Sequence, residues 1–189
     1  CQTDIKPHFG IGVDPYMPHK ETLLGNGEFE IPFFYRLRML PEALRLVHGP
    51  KIYIPGAPGY PIASWLEESL GLPKSPLIRE GSNVVNLSLS IAKELGLNPL
   101  ILVGVDLAYQ DSDAYSSLLP NSLPSPQKNS ADIIDINRLY EGEGVDGKPV
   151  HTLWKWIEEA KWIEEFAQRN PEIELINTSK KGLRIGGIQ

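Results

Sequence analysis

The chain of 189 residues carries a single cysteine, two methionines and four histidines. One cysteine excludes an internal disulfide framework, and with it the paired Cys-x-x-Cys spacing of zinc and redox sites. The histidines, at His8, His19, His48 and His151, are scattered, so no structural zinc site is expected. No uninterrupted apolar run reaches the roughly 18 residues of a membrane-spanning helix. The 18 Lys and Arg are outnumbered by 24 Asp and Glu, giving a formal charge of -6. The basic residues form no cluster, which argues against nucleic acid as a partner. A Walker A loop, a Gly-x-Gly-x-x-Gly fingerprint, a Gly-x-Ser-x-Gly elbow and a His-Glu-x-x-His motif are all missing. No signal peptide is visible, and a reducing, cytoplasmic setting is the simplest expectation. The chain starts at Cys1 rather than at a methionine, as a piece of a longer protein would.

What is present is a rhythm of short apolar strands and amphipathic helices. A hydrophobic content of 41% over 189 residues suits one domain, residues 1–189, with a sizeable core. Phe9 to Val13 reads as a strand ending at Asp14, stopped by Pro15. Pro32 to Leu40 suits strand or helix, and Pro41 to His48 a helix with proline in its first turn. Lys51 to Pro55 is the next strand, followed by Gly56-Ala-Pro-Gly59. Pro61 to Leu70 has helical spacing, with Ile62, Trp65, Leu66 and Leu70 expected to face inward.

The most informative stretch runs from Glu80 to Tyr109. Val84, Leu87, Ile91 and Leu95 recur at three and four residues, so this is a helix, capped by Ser82 or Asn83 and ended by Gly96. Leu100-Ile-Leu-Val103 follows without alternation, as in a strand covered on both faces, and leads to Asp106. Ligands of open α/β sheets collect outside the carboxyl ends of strands, where helix starts also point. Gly81, Ser82, Asn83 and Asp106 are therefore expected to share one crevice, with Asp14 a second strand-end carboxylate. The same residues also suit an ordinary helix cap and loop carboxylates that accept backbone N–H groups.

Gln110 to Gly147 is polar and interrupted by Pro120, Pro124 and Pro126, and is expected to be a long loop or lid. A short strand within it, Ala131 to Ile136, is possible from composition. Val150 to Arg169 reads as the longest helix, with Leu153, Trp156, Ile157, Ala160, Ile163 and Ala167 on one face. Glu172 to Asn177 is a last strand. The fold class is thus α/β, with a Rossmann-like, doubly wound and mostly parallel sheet and helices on both faces.

Four blocks extend this reading: Glu80-Gly-Ser-Asn-Val-Val-Asn86, Leu95 to Tyr109, Val145-Asp-Gly-Lys-Pro-Val-His-Thr152 and Ile176 to Gly187. In order and spacing they resemble the family that includes the Maf flagellin-glycosylation proteins and the archaeal MptE-type 6-hydroxymethylpterin diphosphokinases. The central block is also similar to bacterial α-2,3-sialyltransferases. That resemblance implies a transferase, with a CMP-activated sialic or nonulosonic-type sugar as donor. It implies nucleotide and phosphate contacts at Gly81, Ser82, Asn83, Asp106, Tyr109 and Tyr115, and a catalytic base at His151. Packing roles for both tyrosines and a capping or plain surface role for His151 remain open alternatives. The diphosphokinase likeness implies instead ATP and Mg²⁺, with Asp14 and Asp106 at the metal; otherwise no cofactor is implied. A non-catalytic binding or scaffold domain is the third alternative. Family members carry a further strand upstream of the one ending at Asp14, and it is expected to be lacking here. The open sheet edge left by that strand would favour self-association.

Overall fold

The computed structural model describes residues 7–13, 30–56, 61–72, 78–79, 81, 83–109 and 139–189, and its contacts cluster into two units, residues 1–88 and 89–189. In the first unit, strands β1 (Gly10–Gly12), β2 (Phe33–Tyr35) and β3 (Lys51–Tyr53) form a parallel sheet in that order. Gly10 lies opposite Phe33, and Phe33 opposite Lys51. The ambiguous segment after Pro32 is therefore strand. A short helix α1 (Pro41–Leu44), with proline in its first turn, carries the chain from β2 towards β3. Phe33, Met39, Ala43 and Val47 close over one another as a core. Gly12 is needed beside it, since a Cβ there would stand 2.9 Å from both Met39 Sδ and the Phe33 ring.

Two polar anchors hold the carboxyl ends of these strands. Arg36, just beyond β2, is fully buried. Its guanidinium donates to the carbonyls of Ile54 at 3.1 Å and Ile78 at 2.9 Å, and to that of Pro55. The second anchor is Glu67, on helix α2 (Pro61–Ser69), whose Oε1 accepts from the Tyr53 hydroxyl at 2.6 Å and the Gly56 N–H at 2.9 Å. Burial first, then the Glu67 carboxylate, pushes the Tyr53 hydroxyl well above its ordinary value of 10.0. This anchor also corrects the expected orientation of α2. Ile62, Trp65 and Leu70 are 69%, 64% and 64% exposed, whereas Leu66 and Glu67 are half-buried. The face that holds the carboxylate bond turns inward, and the apolar stripe does not.

Helix α3 (Val84–Glu94) has the expected caps. Asn83 Oδ1 accepts from the Asn86 N–H at 3.1 Å. At the other end Gly96 takes φ of 69°, with Leu97 N–H donating to Ala92 O and Gly96 N–H to Lys93 O. This is a Schellman stop, and it accounts for glycine at that position.

In the second unit β4 (Leu100–Leu102) pairs in parallel with β7 (Leu175–Asn177), Leu100 opposite Leu175. Asn98 clamps the strand starts: its Nδ2 donates to Glu172 O at 3.0 Å and its Oδ1 accepts from Glu174 N–H at 2.9 Å. Leu100 and Leu102 are buried, but Ile101 is 55% and Val103 77% exposed, so the strand expected to be covered on both faces is covered on one. The described residues of the unit also form an antiparallel hairpin, β5 (Tyr140–Glu143) and β6 (Pro149–Thr152), followed by helix α4 (Trp154–Arg169). The hairpin corrects two expectations. Residues 140–143 are strand rather than loop, and the long helix starts at Trp154 rather than Val150. Asp146-Gly147 makes the turn, with Gly147 at φ of 78° and Lys148 N–H donating to Asp146 Oδ1. Pro149 and the period-two burial of Val150, His151 and Thr152 then suit a strand. The possible strand 131–136 lies outside the described residues. Within α4, Ala160, Ile163 and Phe166 are buried, as the spacing predicts for the first two.

Replacing Arg36 by methionine strands three buried or half-buried carbonyls, and is expected to destabilise the protein by about 3 kcal/mol in urea unfolding. The raised Tyr53 value means its contribution is complete below about pH 10 and is lost as pH rises beyond that. Tyr53→Phe should flatten that alkaline loss, measured as the pH dependence of the melting temperature against the parent protein.

Candidate functional site

Three stretches far apart in sequence meet at the carboxyl ends of β4 and β7. The chain leaving β4 turns at Gly104, with φ of 71°, and again at Leu107, with φ of 52°. A left-handed leucine costs about 1–2 kcal/mol and needs compensation. The leucine side chain is buried, and its carbonyl accepts the buried Thr152 hydroxyl at 2.6 Å. Two residues on, the Tyr109 N–H donates to His151 O at 2.8 Å, in an isolated antiparallel bridge on the edge of β6 away from β5. His151 thus lies between Tyr109 on one side and Glu141, its partner across β5, on the other. The His151 side chain is exposed. The Tyr109 ring packs on Trp156 of α4 with centroids 4.8 Å apart, and the Lys155 ammonium stands 5.7 Å from the Trp156 ring centre.

The loop after β7 closes the other side. Thr178 donates to Leu102 O through both its N–H, at 3.0 Å, and its hydroxyl, at 2.8 Å. The Ser179 N–H donates to Asn177 Oδ1 at 3.0 Å, and the Ser179 hydroxyl donates to the Asp106 carboxylate. Ser179 Oγ in turn accepts the Gly182 N–H at 3.1 Å, while the Leu183 N–H donates to Asp106 O at 2.7 Å. Gly182 is required for this approach: a Cβ would sit 2.7 Å from both Asp106 Cα and Ser179 Oγ. The Val145 N–H then donates to Gly182 O at 2.9 Å, tying the hairpin turn to the same loop.

Asp106, Tyr109 and His151 are therefore brought onto one frame in the second unit. Gly81 and Asn83 belong to the first unit, where they build the start of α3. Gly81 has φ of 65° and lies against Asn86, whose Cγ would stand 2.7 Å from a Cβ. Asp14, Ser82 and Tyr115 lie outside the described residues. Sequence reasoning did not single out Ser179, Gly182, Thr152 or Glu141. The Asp146-Gly147 turn was the signal for the last two, because it fixes β5 against β6; the contacts of Ser179 and Gly182 are long-range and leave no local mark. Among the described residues, no three His, Cys, Asp or Glu side chains gather as metal ligands, and no helix is long and apolar enough to cross a membrane. Asp106 is already engaged by Ser179 and stands without a second carboxylate in the contacts above.

Parallel strands joined by helices, with a polar loop cluster at their carboxyl ends, define a Rossmann-like α/β protein. The fold matches part of the structure of the Maf glycosyltransferase from Magnetospirillum magneticum AMB-1 with a TM-score of 0.66, over 98% of this chain at 18% identity. The chain spans 26% of that protein's length. Residues 1–112 match the family described as 6-hydroxymethylpterin diphosphokinase MptE-like, and the chain belongs to that family. No curated protein matches the sequence.

Gly182→Ala should push the β7 loop off Asp106 and cost about 1–3 kcal/mol, the range for an overpacked site. Hydrogen exchange should then show faster exchange at the Leu183 and Val145 amides, while the Leu44 and Arg45 amides of the first unit stay unchanged.

Proposed function

We propose that this chain carries the donor end of a glycosyltransferase that uses a nucleotide-activated sugar, of the CMP-linked sialic or nonulosonic type. The observation that supports it most is the main-chain bridge between Tyr109 and His151, which joins a phenol-bearing and an imidazole-bearing residue in the frame at the carboxyl ends of parallel strands. In this reading the His151 imidazole accepts the proton of an acceptor hydroxyl as its oxygen attacks the anomeric carbon. The bond from that carbon to the phosphate oxygen breaks, and the nucleotide leaves with the bonding pair. The Tyr109 hydroxyl, and Tyr115 by resemblance, donate to the departing phosphate, which develops charge in the transition state. Asp106 and Ser179 hold the loops in place. The structural likeness to a glycosyltransferase adds support at the level of fold.

The family's own description favours a second reading, diphosphate transfer from ATP to a pterin alcohol. Mg²⁺ would supply charge neutralisation there, with Asp106 and Asp14 as the carboxylates on offer.

Thermal unfolding with added ligand separates the readings. CMP at about a hundred times its Kd is expected to add about 2.7 kcal/mol, without metal. A shift with ATP that depends on Mg²⁺, and none with CMP, would move the assignment to the diphosphokinase. Because the His151 side chain is exposed, His151→Ala should leave stability within about 0.5 kcal/mol and preserve the CMP shift. It should reduce transfer from a CMP-linked donor by about 100-fold or more; full transfer by the variant would remove His151 as the base.

A further inference from the structure

The β7 loop carries two cations that the proposed chemistry has not used. Lys180 and Lys181 are both exposed, and they are adjacent. Elsewhere in the second unit several basic side chains are paired: Lys148 with Asp146, Arg169 with Glu165, and Arg184 with Glu143. Among the described residues, no carboxylate stands within ion-pair distance of either Lys180 or Lys181. Their loop is nevertheless firmly held, by Ser179 on Asn177 and Asp106, by Gly182 on Ser179, and by Leu183 on Asp106. A lysine pair on a fixed loop, unneutralised in a protein of charge -6, is where an anion would meet positive charge. The loop also stands where an anionic ligand of parallel strands is received, directly after β7 and against the residues that follow β4.

We propose that the loop Thr178–Gly182 is a phosphate subsite, in which the Lys180 and Lys181 ammonium groups take the phosphate of the bound nucleotide. The assignment of that phosphate to a nucleotide rests on the glycosyltransferase reading above; the affinity of the loop for phosphate does not. Among the described residues, Asp106 is the carboxylate bonded to the loop, through the Ser179 hydroxyl. Lysine acts here as a point charge, and so the subsite should be sensitive to salt.

The test is calorimetric titration of CMP, cytidine and inorganic phosphate into the parent protein and into Lys180→Gln/Lys181→Gln. Both side chains are exposed, so the variant should melt with its parent, which checks the fold. The expected result is that CMP binds the parent protein more tightly than cytidine does. The variant should lose about tenfold or more for CMP and nothing for cytidine. Equal CMP affinity in parent and variant would overturn the subsite while leaving the transferase reading intact. Phosphate binding that the variant loses, without any response to CMP or cytidine, would support the subsite and overturn the cytidine nucleotide. No binding of any of the three to the parent protein would overturn both.

Discussion

Backbone contact between Asp106 and Gly182 is the constraint on which the second unit depends. The loops after β4 and β7 approach so closely that only a glycine fits, and the Leu183 N–H reaches the Asp106 carbonyl at 2.7 Å. From that contact the other restraints follow in order. Ser179 is positioned to bond Asp106, Gly182 to accept from Val145, and the hairpin turn is drawn to the same place. The hairpin then presents His151 to Tyr109 and Thr152 to Leu107. One left-handed leucine is tolerated because it sits inside this set of bonds.

The first unit solves a similar problem with side chains. A buried guanidinium on the residue after β2 answers the carbonyls of Ile54 and Pro55, just beyond β3, and that of Ile78. Glu67 does the same for the loop after β3. Such groups are costly to bury and useful only when fully bonded. They explain why Pro61–Ser69 presents its apolar stripe outward against the expectation from spacing.

Periodicity identifies α3 and its caps well, because Asn83, Gly96 and the stripe between them are local features read at 3.6-residue spacing. Parallel strands are legible as short apolar runs for the same reason. Burial was less legible: Ile101 and Val103 have the composition of a covered strand and are exposed, because coverage depends on neighbours that composition does not name. The helix placed over Val150–Thr152 fails for a physical reason. Apolar residues at 150, 153, 156 and 157 satisfy a helical stripe, while Asp146-Gly147 and Pro149 impose a turn and a strand entry. Of the candidate site, Asp106 was visible as a carboxylate following a strand, whereas Tyr109 and His151 were named only through the resemblance to a known family. Ser179 and Gly182 were not visible as site residues, since their importance arises from contacts more than 70 positions away.

The Tyr109–His151 bridge is made by main-chain atoms, and the Lys180 and Lys181 side chains take no part in holding their loop. The scaffold is therefore largely indifferent to the exposed side chains it displays at His151, Lys180 and Lys181. Exchange of an imidazole or ammonium at these positions alters chemistry without asking the chain to refold. Such a frame can be rewritten residue by residue over evolutionary time. A single architecture can thereby appear in a family described by diphosphate transfer and in a protein described by glycosyl transfer.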